Sequence, residues 1–164
     1  MRSALSSSLV VMAALLSCTP PVPVPVPEQD AGPTTTEDGG VLPLLELGTG
    51  TQSFERLSDG QSAQVIAGPQ GGFHIWASAR IRAPLDPKLI QLRVIVKSAG
   101  IELTSTDYRV TMVPNRSFFE WYAMTALVPD PAAVMGQPTT VELIATDSAN
   151  RTATDSRTVI PFGP

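Results

Sequence analysis

His74 is the only histidine in the 164-residue chain. It stands in the stretch Gly68-Pro69-Gln70-Gly71-Gly72-Phe73-His74-Ile75-Trp76, beside one of the two tryptophans. An imidazole can serve as a general base, a metal ligand or a ligand contact. A structural zinc site needs four ligands, commonly Cys and His. Cys18 is the only cysteine and there is no second histidine, so neither a metal nor a cofactor is expected. A Ser-His-Asp arrangement needs a serine in a strained, activated turn. None of the serines sits in a recognisable one. The expectation is a non-enzymatic protein with no catalytic residues, in which His74 packs beside Trp76 and satisfies a loop carbonyl. Residues two apart share a face of a strand, so His74, Trp76, Ser78, Arg80 and Arg82 should project together. Gln70, His74, Trp76 and Arg80 form the candidate cluster: a structural clasp if a loop covers it, a binding surface if it is open.

Other chemistry-bearing residues point less far. Gly71-Gly72 could cradle an anion through main-chain N–H groups. A strand follows it rather than a helix, which argues for a tight turn with positive φ. Asp147, Asn150 and Asp155 are acidic-loop candidates for calcium, but the alternating acids and closing Glu of a calcium hand are missing. Asn115-Arg116-Ser117 and Asn150-Arg151-Thr152 match a glycosylation sequon that is frequent by chance. Arg80, Arg82 and Arg93 would make a basic stripe if they shared one sheet face.

The N-terminus carries a different signal. Met1-Arg2 supplies a positive start, and Leu9 to Leu16 form an apolar run. That run is far short of the roughly 20 residues a spanning helix needs. A short apolar run after a basic start describes an export signal. Leu15-Leu16-Ser17-Cys18 closes it, and this resembles the lipobox of bacterial lipoproteins. The resemblance implies cleavage before Cys18 and lipidation of its thiol. Residues 1–17 are then the signal peptide. Several acyl chains anchor a protein firmly where one binds only marginally. Thr19 stands where the inner-membrane retention signal of such lipoproteins has aspartate, which favours the outer membrane. With Cys18 as the sole cysteine, no intramolecular disulfide can form.

Residues 18–43 read as a linker. Pro20-Pro21-Val22-Pro23-Val24-Pro25-Val26-Pro27 should adopt polyproline II, a stiff spacer of about 25 Å. Glu28 to Gly40 is acidic and too poor in apolar residues to fold. A stalk is the expected role, with a proline-rich ligand segment as the alternative. The formal net charge is -4, and the acids and bases from residue 44 onward nearly cancel. No basic patch appears, so nucleic acid is not an expected partner.

From residue 44 to the end, short apolar runs alternate with turn signals, and 16 prolines and 12 glycines argue against a helical bundle. Strands are expected at Phe54–Leu57, Gln64–Ala67, Phe73–Arg82, Ile90–Lys97, Ile101–Thr104, Tyr108–Val113, Phe118–Leu127, Thr139–Thr146 and Thr152–Ile160. Pro114-Asn115 and Asp147 to Asn150 should turn the chain. Asp130 should cap one short helical turn that Gly136 ends. The fold class is all-β, an antiparallel β-sandwich. Val141 to Thr154 resembles the last hairpin of bacterial immunoglobulin-like domains. The domain also looks like a group of uncharacterised bacterial lipoproteins with a Gly-Pro-Gln-Gly-Gly-x-His stretch. Those resemblances imply an immunoglobulin-like sandwich held at the cell envelope by its lipid, with a non-catalytic binding or structural role. The membrane is one partner; an envelope protein or a glycan is the candidate second. The alternatives are an envelope hydrolase built on His74 and an accessory subunit of a surface or secretion complex.

Overall fold

In the computed structural model, residues 45–69 and 71–163 are described. The expected signal peptide and linker, with Cys18, and Gln70 lie outside them. Eleven strands follow in order: β1 (Leu45–Thr49), β2 (Glu55–Arg56), β3 (Gln61–Gln64), β4 (Ile66–Ala67), β5 (Phe73–Ile81) and β6 (Ile90–Ser98). Then come β7 (Ile101–Val110), β8 (Val113–Asn115), β9 (Phe118–Val128), β10 (Thr139–Thr146) and β11 (Thr152–Phe162). They form two packed sheets. One runs β2-β1-β5-β9-β8, with β4 added to β5; the other runs β3-β11-β10-β6-β7. The fold is a β-sandwich. No helix among the described residues is long and apolar enough to cross a membrane.

Alternation builds the core. Ile75, Ala77, Ala79 and Ile81 of β5 face inward and are buried. They meet Leu92, Val94 and Val96 of β6 and Val141, Leu143 and Ala145 of β10 within one cluster. Aliphatic packing between two inner faces holds the sheets together. On β9 the inward parity changes partway. Phe119 and Trp121 pack on the core, and so do Met124, Ala126 and Val128. A bulge makes this possible: Ala77 pairs with Met124, yet Ala79 pairs with Trp121, so Tyr122 and Ala123 both oppose Ser78. Ala123 sits at φ 57°, in the left-handed region. One extra residue thus flips every later side chain to the other face.

Several elements differ from their sequence expectation. β1 and β8 were not expected as strands. The run Gln64–Ala67 is not one strand. The chain changes sheets at Val65, with β3 parallel to β11 and β4 antiparallel to β5. Ser105-Thr106-Asp107 does not break β7; each residue pairs across to β6, and Arg93 grips Asp107 through two hydrogen bonds of 2.8 and 3.0 Å. Pro114-Asn115 is not a turn but part of β8, paired with Phe118 and Phe119. The turn falls instead at Arg116, with φ 55°. The short 3-10 turn Pro131–Ala133 is present, and the Asp130 carboxylate accepts from the Ala132 N–H at 3.0 Å.

Candidate functional site

The turn before β5 is closed by its own main chain. The Gly68 N–H donates to the Gly72 carbonyl at 2.6 Å, and the Gly71 N–H donates to the Gly68 carbonyl at 3.1 Å. Gly71 has φ 86°, a conformation that a side chain would strain. These two main-chain bonds close the turn. His74 and Trp76 emerge from it on the outer face of β5, as the spacing requires. Their rings meet edge to face, centroids 4.4 Å apart and planes at 73°. Such geometry suits two aromatic quadrupoles.

His74 is nonetheless buried, with 7% of its surface exposed. Its cross-strand neighbours explain this, since Ile66 of β4 pairs with it on one side and Leu127 of β9 on the other. Among the described residues, no hydrogen bond joins His74 to a loop carbonyl. Nε2 is buried and has no hydrogen-bond partner. Burial lowers the imidazole pKa, because desolvation penalises the cation. The ring is thus a neutral, packed group.

Arg80, four residues further along, belongs to a different cluster. Its guanidinium grips Oε1 of Glu120 with Nε at 2.8 Å and Nη2 at 2.7 Å. It also lies over the rings of Phe54 and Phe118, 4.1 and 4.4 Å from their centroids. Phe54 can reach it because β1 carries Gly48 there; a Cβ at that position would sit 2.5 Å from the Phe54 ring. The other carboxylate oxygen, Oε2, accepts from Asn115 Nδ2 at 2.8 Å and from the Tyr122 hydroxyl at 2.6 Å. Glu120 is 1% exposed. Burial pushes its carboxyl up, but the bonds from Asn115, Tyr122 and Arg80 outweigh that and hold it below the usual carboxylate range. The Tyr122 hydroxyl is pushed up by the bond it donates to Glu120, with burial adding to the effect. Both Glu120 oxygens are engaged, so the cluster is a closed structural network rather than an acid or base waiting for a substrate.

Sequence reasoning missed Glu120, Asn115 and Tyr122 as a unit. A signal was present. Glu120 is the lone acid in the aromatic run Phe118-Phe119-Glu120-Trp121-Tyr122 of an expected strand. A carboxylate in such a place needs a cation, and Arg80 is its direct cross-strand partner. The basic stripe is corrected in the same stroke. Arg80 pairs with Glu120 and Arg82 stacks on Phe118 at 4.1 Å, but Arg93 lies in the other sheet and pairs with Asp107.

The acidic loop is also closed. Asp147 Oδ1 accepts from the N–H groups of Ala149 and Arg151, each at 2.9 Å. Its Oδ2 accepts from the Asp86 N–H at 3.1 Å and from Arg151 Nε at 2.7 Å. Burial pushes the Asp147 carboxyl up, and these bonds more than reverse it, to about 2. Asp155 is engaged by the Leu47 N–H at 2.7 Å and by Arg157 at 2.7 Å. No group of three or more metal-ligating side chains occurs among the described residues.

One open feature adjoins Trp76. A cleft of about 310 Å3 lies where the chain changes sheets, between β3 and the turn joining β1 to β2. Ile66, Ile75 and Trp76 contribute to its lining. The Thr49 hydroxyl donates to the Trp76 carbonyl at 3.0 Å, and the Ser78 hydroxyl donates to the Thr49 carbonyl at 2.5 Å, which fixes this part of β5 to β1. Of the four residues in the candidate cluster, the structure brings His74 and Trp76 together and assigns Arg80 to Glu120. Compared with protein-family models and with curated proteins, the chain matches none.

Proposed function

We propose that the chain is a lipid-anchored cell-envelope protein whose immunoglobulin-like sandwich has a non-catalytic binding or structural role. The observation that carries the non-catalytic part is the saturation of its two buried carboxylates. Glu120 and Asp147 are each held by several protein donors. His74 is buried with its ring packed edge to face against Trp76. General acid–base work needs a titratable group within reach of a substrate proton. The immunoglobulin-like part is supported by strand order. β1-β5-β9-β8 against β11-β10-β6 follows the A-B-E-D and G-F-C order of that arrangement, with β7 in the place of an added C′ strand.

Lipid attachment at Cys18 rests on the residues before it, Leu15-Leu16-Ser17, after a short apolar run. The test is fractionation of cells expressing wild type and Cys18→Ala. Wild type should sediment with membranes, and the variant should move to the soluble fraction. A variant that stays in the pellet as wild type does would show that something other than a lipid on Cys18 holds the protein.

A further inference from the structure

We infer that the cleft beside Trp76 is a binding site for a neutral saccharide. This rests on the reading of the chain as a binding protein of the envelope, and it names the ligand class that reading leaves open.

The cleft exists because of the sheet change at Val65. β3 is the terminal strand of its sheet, and β4 leaves it to join β5 in the other. At about 310 Å3 the space has the size of the smaller ligand pockets, enough for one ring. Its chemistry is specific. Trp76 contributes to the lining together with Ile66 and Ile75, and its ring is packed edge to face against His74 with centroids 4.4 Å apart. Gln61, Ser62 and Gln64 line one side, with Thr51 and Glu55 opposite among the β1–β2 residues. Amides and hydroxyls both donate and accept hydrogen bonds. The Gln61 side-chain oxygen Oε1 already accepts from the Ser58 N–H at 3.1 Å, which leaves its side-chain N–H2 as a donor.

The charge pattern narrows the class. Among the described residues, Glu55 is the only charged one of the lining, and no cation accompanies it there. A phosphate, sulfate or carboxylate ligand would meet a like charge and no compensating partner. A pyranose ring fits instead: its C–H face meets the apolar lining of Ile66, Ile75 and Trp76, its hydroxyls answer groups that donate and accept, and Glu55 accepts a hydrogen bond from one of them.

An extended peptide is the competing occupant, because the outer edge of β3 is unpaired. The Val65 N–H is held by the Phe162 carbonyl at 2.9 Å, so by alternation the main-chain groups of Ser62 and Gln64 point away from β11. Two such residues on a strand of four, a length of about 13 Å, offer too few bonds to hold a peptide. The weight of recognition lies with the side chains, and these suit a polyol.

The experiment is calorimetric titration of the full-length protein in detergent with chitotriose and cellotriose. A sulfated disaccharide and a hexapeptide of alternating Val and Thr serve as controls. Saturable binding of at least one neutral trisaccharide is expected, with no binding of the sulfated sugar or the peptide. Gln64→Ala should weaken binding at least five-fold while leaving the melting temperature unchanged, since Gln64 is exposed. Trp76→Phe should weaken it less than Trp76→Ala. Binding of neither trisaccharide overturns the inference, and so does equal binding of the sulfated sugar. Binding that Gln64→Ala leaves intact, or binding of the peptide alone, also overturns it. The membrane anchor is judged separately. A protein released by Cys18→Ala that takes no sugar overturns the cleft alone; a protein that takes sugar but stays membrane-bound without Cys18 overturns the anchor alone.

Discussion

Two ends of one strand face behave differently. At the Arg80 end of β5, each polar atom finds another: four donors reach the two oxygens of Glu120, and two phenyl rings flank the guanidinium. At the His74 end, a buried ring nitrogen has no partner, and an open cleft adjoins the neighbouring tryptophan. Shared strand parity would make all of these residues one surface. Saturation separates them. A guanidinium committed to a buried carboxylate cannot also serve a ligand, so Arg80 supports the sheet. A face whose polar groups are not engaged with one another is where binding can occur.

The strongest way to break the comparison is to empty the saturated end. Arg80→Ala leaves the Glu120 carboxylate buried without its cation. Removing one partner of a buried pair costs about 3–5 kcal/mol. Urea denaturation of Arg80→Ala beside wild type should show a loss of that order. The double variant Arg80→Leu/Glu120→Leu should recover much of it, because replacing both charges removes the stranded group. An Arg80→Ala protein as stable as wild type would mean that the Glu120 network does not hold the sheet.

Asp147 extends the comparison from a sheet to a loop, with a smaller expected effect. Its carboxyl titrates at about 2 in the fold against an ordinary value of 3.8. The folded state therefore resists a proton that the unfolded chain accepts. Stability from this group is present in full above the unfolded value and is lost as the pH falls toward the folded one. The shift corresponds to about 2 kcal/mol. Asp147→Asn should cost about that much at neutral pH and flatten the acid limb of the melting curve between about pH 4 and pH 2. An unchanged acid limb would show that Asp147 does not organise the turn between β10 and β11.

Much of the sandwich was legible because regular alternation was enough to find it. β5, β6, β10 and β11 follow from apolar residues two apart, and the Asp147–Asn150 turn and the Asp130 cap follow from residue chemistry. What alternation could not show was any break in its own register. The bulge at Tyr122-Ala123 hides in β9 as a change of parity, so Glu120 lies outward and Met124 inward although they stand four residues apart. The sheet change at Val65 hides likewise inside an apolar run, and with it went the cleft. Ser105-Thr106-Asp107 carries turn residues, yet cross-strand pairing with Arg93 and Val94 overrides their preference. β1 gives a weak strand signal because glycine lowers strand propensity, whereas in the fold a Cβ at Gly48 would meet both the Glu55 carbonyl oxygen and the Phe54 ring. The His74–Trp76 pair was legible from spacing alone, whereas the burial of His74 required Ile66 and Leu127, which the linear sequence does not place beside it.

The open end is tested at His74, where the smallest effect and the sharpest sign are expected. His74→Ala removes a buried ring beside Trp76 and should cost about 1–2 kcal/mol from the cavity left behind. His74→Met fills similar space without an unpaired nitrogen, so it should match or exceed wild type, because a buried polar atom without a partner is a liability. The pH dependence supplies the sign. Burial lowers the folded imidazole pKa below its ordinary 6.5. The unfolded chain thus takes up a proton first as the pH falls, and wild type loses stability through that range. His74→Met has no such group. Its advantage in melting temperature over wild type should therefore grow as the pH is lowered from about 8 to about 5. A difference that does not change with pH would mean that the ring is accessible to solvent and protonates freely in the fold. An unchanged melting temperature for His74→Ala would mean that the ring contributes no packing, and the His74 end of β5 would then be an open surface rather than a covered one.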